Sequence, residues 1–212
     1  MKKENVEMFD NASECGWEFD FSTLPRWDNR DRIPYVWDKF YSLPESDALI
    51  CIYSIAEVRM CWNQGFLAIL KNKENPAIAL NITEKINFTE NFSVGKGGEV
   101  VFLQAHLYDK TTDTVNCPIL IIDVVRERFS YMVVDNWNTC YKVIESEDGD
   151  FVIKADPVQA KSSERLSALD GLKIDLKRLT WYDFKELKKL PDMVFGSSAF
   201  KKIWNKIKNI SP

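Results

Sequence analysis

The feature that most constrains this chain is a series of short apolar segments between residues 48 and 155. Each segment is rich in Ile, Val, Phe or Tyr and is bounded by Asn, Gly, Pro or charged residues, as strands and their turns are. Their lengths are typical of strands rather than of helices. We therefore predict strands at 48–55, 66–70, 77–82, 99–108, 118–125, 128–134, 140–146 and 150–154.

Two short turns predict antiparallel pairing within this β section. Arg126 and Glu127 lie between two of the predicted strands, and so short a connection joins strands as a hairpin. Asp148 and Gly149 lie between the last two strands, and this pair favours a type I′ turn, in which both residues have positive φ. The β section is accordingly predicted to be an antiparallel meander.

The β section also contains a weak internal repeat. Three apolar segments resemble three later ones at an offset of about 52 residues. Such an offset is similar to that of β-propeller blades, but two units are too few to close a ring. An open sheet, a two-sheet sandwich and propeller-blade-like units all remain compatible with the pattern. The matched segments are 49–52 with 101–104, 66–69 with 119–122, and 77–80 with 129–132.

The section before the β strands, residues 9–47, is an aromatic and acidic lead-in. Its aromatic content predicts that it packs against the β section. Pro34 suits the first turn of a short N-terminal helix that ends at Pro44. Four apolar residues between these prolines have the spacing of one helical face: Val36, Trp37, Phe40 and Tyr41.

The section after the β strands, residues 156–212, is predicted to be mainly helical. Thr180 resembles the start of a capping box for a helix over 181–190, which Pro191 would stop. Another helix is predicted after Ser198, with one apolar stripe formed by Phe200, Ile203, Trp204 and Ile207. The chain as a whole, 1–212, is predicted to be a single α+β domain of mainly β structure.

Charge differs between the two ends of the chain. Residues 1–150 carry fifteen Lys and Arg against twenty-five Asp and Glu, whereas residues 151–212 carry thirteen against seven. An acidic body repels phosphate backbones, so general nucleic-acid binding is disfavoured. An acidic surface attracts a basic protein partner instead.

The cysteine pattern and the N-terminus favour a cytoplasmic protein of bacterial type. The first ten residues contain acids where the apolar core of a signal peptide would lie. The five cysteines are widely spaced and odd in number, as expected in a reducing compartment. No run of 18 apolar residues occurs, so we predict no transmembrane segment.

The sequence contains no recognisable catalytic motif, phosphate loop or metal-ligating cluster. His106 is the single histidine, so any mechanism that needs a histidine base depends on it. Strand alternation places His106 on one face with Phe102, Gln104 and Tyr108, and because this face is mixed we expect His106 to lie near solvent. We predict no catalytic residue, no cofactor and no metal ligand.

The sequence favours a non-enzymatic protein-binding domain with an acidic surface. An immunity-type or inhibitor-type protein acting on a basic partner is one instance of this class. One alternative is a hydrolase or transferase that uses carboxylates or His106, and another is association of the basic C-terminal helix with a membrane surface. The partner and the oligomeric state are not specified. The candidate binding residues are Trp27, Asp28, Asp31, Gln104, His106, Tyr108 and Trp137.

Overall fold

The computed structural model of the chain describes residues 6–26, 36–59, 62–83, 86–109, 113–133, 141–146, 148–155 and 170–196. These residues are mostly antiparallel β-sheet, with one short helix, α1, at Leu190–Gly196. The strands do not close into a barrel within the described part of the chain. They are β1 Glu7–Phe9, β2 Val36–Leu43, β3 Ala48–Arg59, β4 Trp62–Lys71, β5 Ala77–Ile82, β6 Ile86–Gly95, β7 Val100–Asp109, β8 Thr114–Asn116, β9 Ile119–Asp123, β10 Arg128–Met132, β11 Tyr141–Glu145, β12 Phe151–Ala155, β13 Lys173–Ile174 and β14 Tyr182–Asp183.

The described strands form one sheet of eleven strands and one of three. In the larger sheet the hydrogen-bonded order is β1-β2-β3-β4-β6-β7-β9-β10-β14, while β5 pairs with β4 and β8 pairs with β7. The strands β4 and β6 are joined by one residue pair, Gly65 with Phe88. This junction separates unit 1 (β2–β5) from unit 2 (β6, β7, β9 and β10), and the smaller sheet, β11–β13, is unit 3.

The strand register confirms the predicted repeat between units 1 and 2. Ala48 pairs with Lys71 in unit 1, and Val100 pairs with Asp123 in unit 2, so each partner lies 52 positions after its counterpart. The same offset relates the preceding hairpin, in which Leu43 pairs with Ala48 and Gly95 with Val100. Unit 3 has a related register that the sequence pattern did not reveal. There Phe151 pairs with Ile174, again 23 residues apart, at an offset of 51 from unit 2.

Three apolar clusters lie between successive parts of the molecule, because strand alternation sends neighbouring residues to opposite faces of each unit. Cluster 1 joins one face of unit 1 to unit 2, and includes Ile50, Ile52, Leu67 and Ile69 with Val101, Leu103, Leu120 and Ile122. Cluster 2 lies on the other face of unit 1, and includes Leu49, Cys51, Ala68 and Leu70 with Cys15, Trp17, Phe21 and Leu24. Cluster 3 joins the other face of unit 2 to unit 3, and includes Phe102, Ile119 and Ile121 with Tyr141, Val143, Phe151, Ile153 and Ile174.

The order through the molecule is therefore N-terminal residues, unit 1, unit 2 and unit 3. Close approach between units 2 and 3 depends on Gly95, because a Cβ at this position would overlap the ring of Phe151. The Phe102 ring packs beside Phe151, with 5.0 Å between the ring centroids. Between units 1 and 2, Tyr41 stacks on Phe92 with 3.9 Å between the centroids.

All eight predicted strands are confirmed, but the predicted N-terminal helix is wrong. Residues 36–43 form the strand β2, in which Phe40 pairs with Cys51 and Tyr41 with Ile50. The apolar spacing resembled a helix because both faces of β2 are buried, Phe40 in cluster 2 and Tyr41 in cluster 1. Strand pairing thus outweighed a weak local preference. Pro44 does end the element, as the first residue of a 3-10 turn.

The predicted helix over 181–190 is also wrong in its position. Tyr182 is held in β14 by pairing with Phe129, and the Asp183 side chain accepts a hydrogen bond from Lys185 N at the start of a 3-10 helix. The α-helix begins at Leu190. Pro191 lies in its first turn, where a missing N–H breaks no helical hydrogen bond, so this proline does not stop the helix. The helix predicted after Ser198 lies outside the described residues.

The two predicted hairpins are confirmed, with one correction to turn geometry. In the first, Asp123 pairs with Arg128 across a four-residue turn in which Glu127 has positive φ. In the second, Gly149 has a φ of 78°, whereas Asp148 is not among the described residues with positive φ. The turn is therefore not type I′. A longer loop places the Ser146 amide within hydrogen-bonding distance of the Asp150 carbonyl, at 2.7 Å.

Candidate functional site

The candidate site is the outward surface of the N-terminal segment, which we define as residues 10–26. Four of its side chains are buried in cluster 2 against the outer face of unit 1, with exposed fractions of 8% or less. Phe21 packs edge-on against Phe40 of β2, with ring centroids 5.1 Å apart. These contacts fix an otherwise irregular segment on the sheet. The four anchors are Cys15, Trp17, Phe21 and Leu24.

The acidic residues of this segment are all exposed. They alternate with the anchors along part of the chain, although residues 12–16 form turns and Gly16 has a φ of 68°. In the order Glu14-Cys15-Gly16-Trp17-Glu18, the two buried side chains are flanked by exposed carboxylates. One basic residue, Arg26, is present in the segment. The exposed acids are Asp10, Glu14, Glu18 and Asp20.

Polar contacts attach both ends of the N-terminal segment to unit 1. At its end, Arg26 donates two hydrogen bonds to the Asp38 carboxylate, at 3.1 and 2.7 Å. Asp38 also accepts a hydrogen bond from the backbone N–H of Ser54, where β3 is bulged and φ is 53°. At its start, Asp10 forms an ion pair with Lys39, with 2.6 Å between Oδ1 and Nζ. The acidic surface is therefore held in a defined position.

Of the candidates predicted from the sequence, Gln104 has a structural role. Its side chain is 1% exposed. Its Nε2 donates to the carbonyl of Cys117, and its Oε1 accepts from the N–H of Tyr141 at the start of β11. Ser93 in the adjacent strand β6 has a similar role, since its Oγ accepts a hydrogen bond from the Val143 N–H of β11. Gln104 and Ser93 thus attach the edge strand β11 to unit 2.

The exposure of the β7 face rises along the strand, from buried Gln104 through half-buried His106 to Tyr108, which is 49% exposed. Burial lowers the pKa of His106, which favours a neutral imidazole. Tyr108 donates a hydrogen bond to Asp113 at 2.8 Å, and this contact raises the pKa of its hydroxyl. The structure thus gives the three candidates three different environments rather than one common site.

The remaining candidates, Trp27, Asp28, Asp31 and Trp137, lie outside the described residues. Cys51 and Cys117 are fully buried, and burial raises the pKa of the Cys51 thiol well above its usual value. Within the described ranges, no group of three or more His, Cys, Asp or Glu side chains is placed to hold a metal ion. In the same ranges, no helix is long and apolar enough to cross a membrane.

A buried carboxylate, Asp123, stabilises the β9–β10 turn. It is 2% exposed and accepts hydrogen bonds from the Arg126 backbone N–H, from Arg126 Nη1 and from Arg128 Nε. Burial alone would raise the pKa of Asp123, but these hydrogen bonds outweigh it and lower the pKa. Arg128 also lies over the ring of Trp181, at 4.4 Å from its centroid. This cluster therefore has a structural explanation.

Sequence reasoning named the lead-in as acidic but did not select Glu14 and Glu18. The available signal was the alternation of acids with Cys15, Trp17, Phe19 and Phe21, which predicts an extended segment with one apolar side.

Comparisons with known proteins identify no relative of this chain. No protein-family model matches it, and neither a curated protein nor a solved structure is significantly similar.

Proposed function

We propose that this chain is a non-enzymatic cytoplasmic protein-binding domain that presents the acidic surface of its N-terminal segment to a basic protein. The observation that carries the proposal is the combination of four exposed carboxylates with four buried anchors on one short segment. Such a surface is already ordered, so binding costs little additional conformational entropy. Its charge would steer a cationic partner and select against acidic ones. An immunity-type or inhibitor-type role is one instance of this function.

The contacts of the polar side chains Gln104, Asp38 and Asp123 support a binding function rather than a catalytic one. Gln104 and Asp38 each accept a hydrogen bond from the backbone of a neighbouring strand, and Asp123 accepts one from the Arg126 N–H in the turn after β9. Their contacts stabilise the scaffold on which the acidic segment lies. In the segment itself, Asp10 pairs with Lys39, whereas Glu14 and Glu18 face solvent and form no ion pair among the described residues.

Affinity capture with charge-reversal variants tests the proposal. We expect immobilised wild-type protein to retain a basic protein from native lysate and to release it as salt concentration rises, because exposed charges are screened. The variant Glu14→Lys with Glu18→Lys should lose this partner. A matched control, Lys142→Glu with Lys154→Glu, changes two exposed charges in unit 3 and should retain it. Equal retention by the Glu14 and Glu18 variant would contradict the proposal.

The finer architecture is part of the same proposal. The face of unit 1 that contains Ile50 packs against the face of unit 2 that contains Val101. Ile50 and Val101 are not at equivalent positions of the repeat. Packing of unlike faces is what successive propeller-like blades would show. We propose that the units are stacked modules of this kind, which present the N-terminal segment at one end of the stack.

A further inference from the structure

The outer face of unit 3 differs from the other unit faces, because no apolar cluster of the described residues covers it. Strand alternation turns five side chains away from cluster 3. Ile144 is 47% exposed, and Lys142, Lys154 and Lys173 are exposed as well. We call this surface the lysine face. Its members are Lys142, Ile144, Val152, Lys154 and Lys173.

The lysine face places like charges side by side. Lys142 and Lys154 are directly opposite partners on β11 and β12, and like charges in this position are destabilising. Lys173 is neutralised by Asp150, with 2.7 Å between Nζ and Oδ2. In the described part of the chain, Lys142 and Lys154 form no ion pair. Carboxylates from outside the described chain would relieve their repulsion.

The acidic surface lies at the opposite end of the same molecule. The N-terminal segment packs on the outer face of unit 1, and clusters 1 and 3 separate unit 1 from the lysine face. A single copy therefore cannot bring the two surfaces together. Two copies can, because the lysine face of one copy is free to meet Glu14 and Glu18 of the next.

We propose that copies of this chain associate head to tail, with the lysine face of one copy against the acidic N-terminal segment of another. The contact is heterologous, so each new copy presents the same two free ends and association grows with concentration. The apolar pair Ile144 and Val152, which are cross-strand partners, lies beside the paired lysines and is buried by the contact. A second copy fits better than a nucleic acid, because its carboxylates are complementary and the acidic body repels phosphate.

This inference goes beyond the proposed function and competes with it for the same carboxylates. A basic partner bound at Glu14 and Glu18 would block the acidic end of the assembly. Self-association can be measured without any partner, so its outcome is independent of the capture experiment.

Sedimentation velocity of the purified full chain tests the proposal. At an ionic strength of about 0.01 M, where the screening length is about 30 Å, the weight-average sedimentation coefficient should rise with protein concentration. At about 1 M, where that length is about 3 Å, the protein should sediment as a monomer. A concentration-independent monomer at low salt would overturn the proposal. Binding of poly-L-glutamate by that monomer would assign the lysine face to an acidic partner instead.

Charge-reversal variants locate the contact. Lys142→Glu with Lys154→Glu makes both ends acidic, and Glu14→Lys with Glu18→Lys makes both ends basic, so each variant alone should remain monomeric at low salt. Mixing the two variants should restore association, since each end then meets an opposite charge. Circular dichroism verifies that both variants are folded. Association of either variant alone to the extent of wild type, or a monomeric mixture when wild type associates, would contradict the assignment.

Discussion

The outer face of unit 1 and the outer face of unit 3 lie at opposite ends of the molecule, and they differ in their exposure to water. Leu49 on the first is fully buried beneath the N-terminal segment, whereas Ile144 on the second is 47% exposed. Both faces belong to antiparallel strands with a related register. The difference therefore arises from the side chains. The apolar outer face of unit 1 binds the chain's own N-terminal segment. The outer face of unit 3, which carries three lysines, is not covered by the described residues.

The largest expected effect comes from truncating matched aliphatic residues on the two faces. Leu49→Ala should lower the free energy of unfolding by about 2–5 kcal/mol, because it leaves a cavity in cluster 2. Ile144→Ala should change it by less than about 1 kcal/mol, because the side chain is already half in water. Denaturant unfolding measures both. Similar losses from the two variants would show that the faces do not differ in burial as described.

A second prediction compares equivalent positions of units 1 and 2, Lys71 and Asp123. Asp123→Asn should lower stability by about 1.5–3 kcal/mol, since it weakens hydrogen bonds to charged groups at a buried site. Lys71→Ala should cost at most about 1 kcal/mol, because its ion pair with Glu127 is partly exposed. Thermal unfolding at neutral pH distinguishes the two. A larger loss for Lys71→Ala than for Asp123→Asn would be inconsistent with this explanation.

The same carboxylate predicts a pH dependence. The pKa of Asp123 is lower in the folded state than its unfolded value of about 3.9, so the unfolded state binds the proton first as pH falls. The stabilisation is complete above the unfolded pKa and is lost as pH falls through the folded pKa. Unfolding free energies of wild type and Asp123→Asn should therefore converge in acid. A constant difference down to the lowest measurable pH would argue against this role.

A third prediction concerns the contact between units 2 and 3. Gly95→Ala should destabilise the protein by about 1–3 kcal/mol, because the new Cβ overlaps the ring of Phe151. Gly196→Ala is the control, since no heavy atom of the described residues lies within 4 Å of a Cβ built there. Chemical denaturation of the two variants checks the prediction. Comparable effects would mean that close packing at Gly95 is not what positions unit 3.

The smallest effect is expected at the β11–β12 turn of unit 3. Gly149→Ala should cost about 1–2 kcal/mol, because Gly149 has a φ of 78° that residues with a Cβ adopt reluctantly. Asp148→Ala should be nearly neutral by comparison. A differential scanning calorimetry experiment compares the two midpoints. An unchanged midpoint for Gly149→Ala would remove the strain argument for this turn.

The strand β6, Ile86–Gly95, was missed, whereas the eight predicted strands were predictable because their apolar character and turn residues are local signals. The strand β2 was not, because burial of Phe40 and Tyr41 on opposite faces produces a spacing that also fits a helix. The third unit escaped detection for a related reason, as its offset is 51 rather than 52 and its sequence keeps few of the apolar matches.

The candidate surfaces were predictable only in part. Composition indicated an acidic lead-in, but the burial of Trp17 and exposure of Glu18 depend on docking to unit 1. The pairing of Lys142 with Lys154 depends on strand register, which a sequence pattern does not fix. The burial of Gln104 depends on unit 3, which covers its strand face and lies later in the chain.

Backbone nuclear Overhauser effects across the strands of all three units test the central claim most directly. The repeated register predicts cross-strand contacts for three pairs: Ala48 with Lys71, Val100 with Asp123, and Phe151 with Ile174. Observation of all three would establish the related units and the outward position of the paired lysines. A slip of one residue in β12 would turn Lys154 inward and bring Phe151 out to solvent. That result would contradict the contrast between the two ends of the molecule.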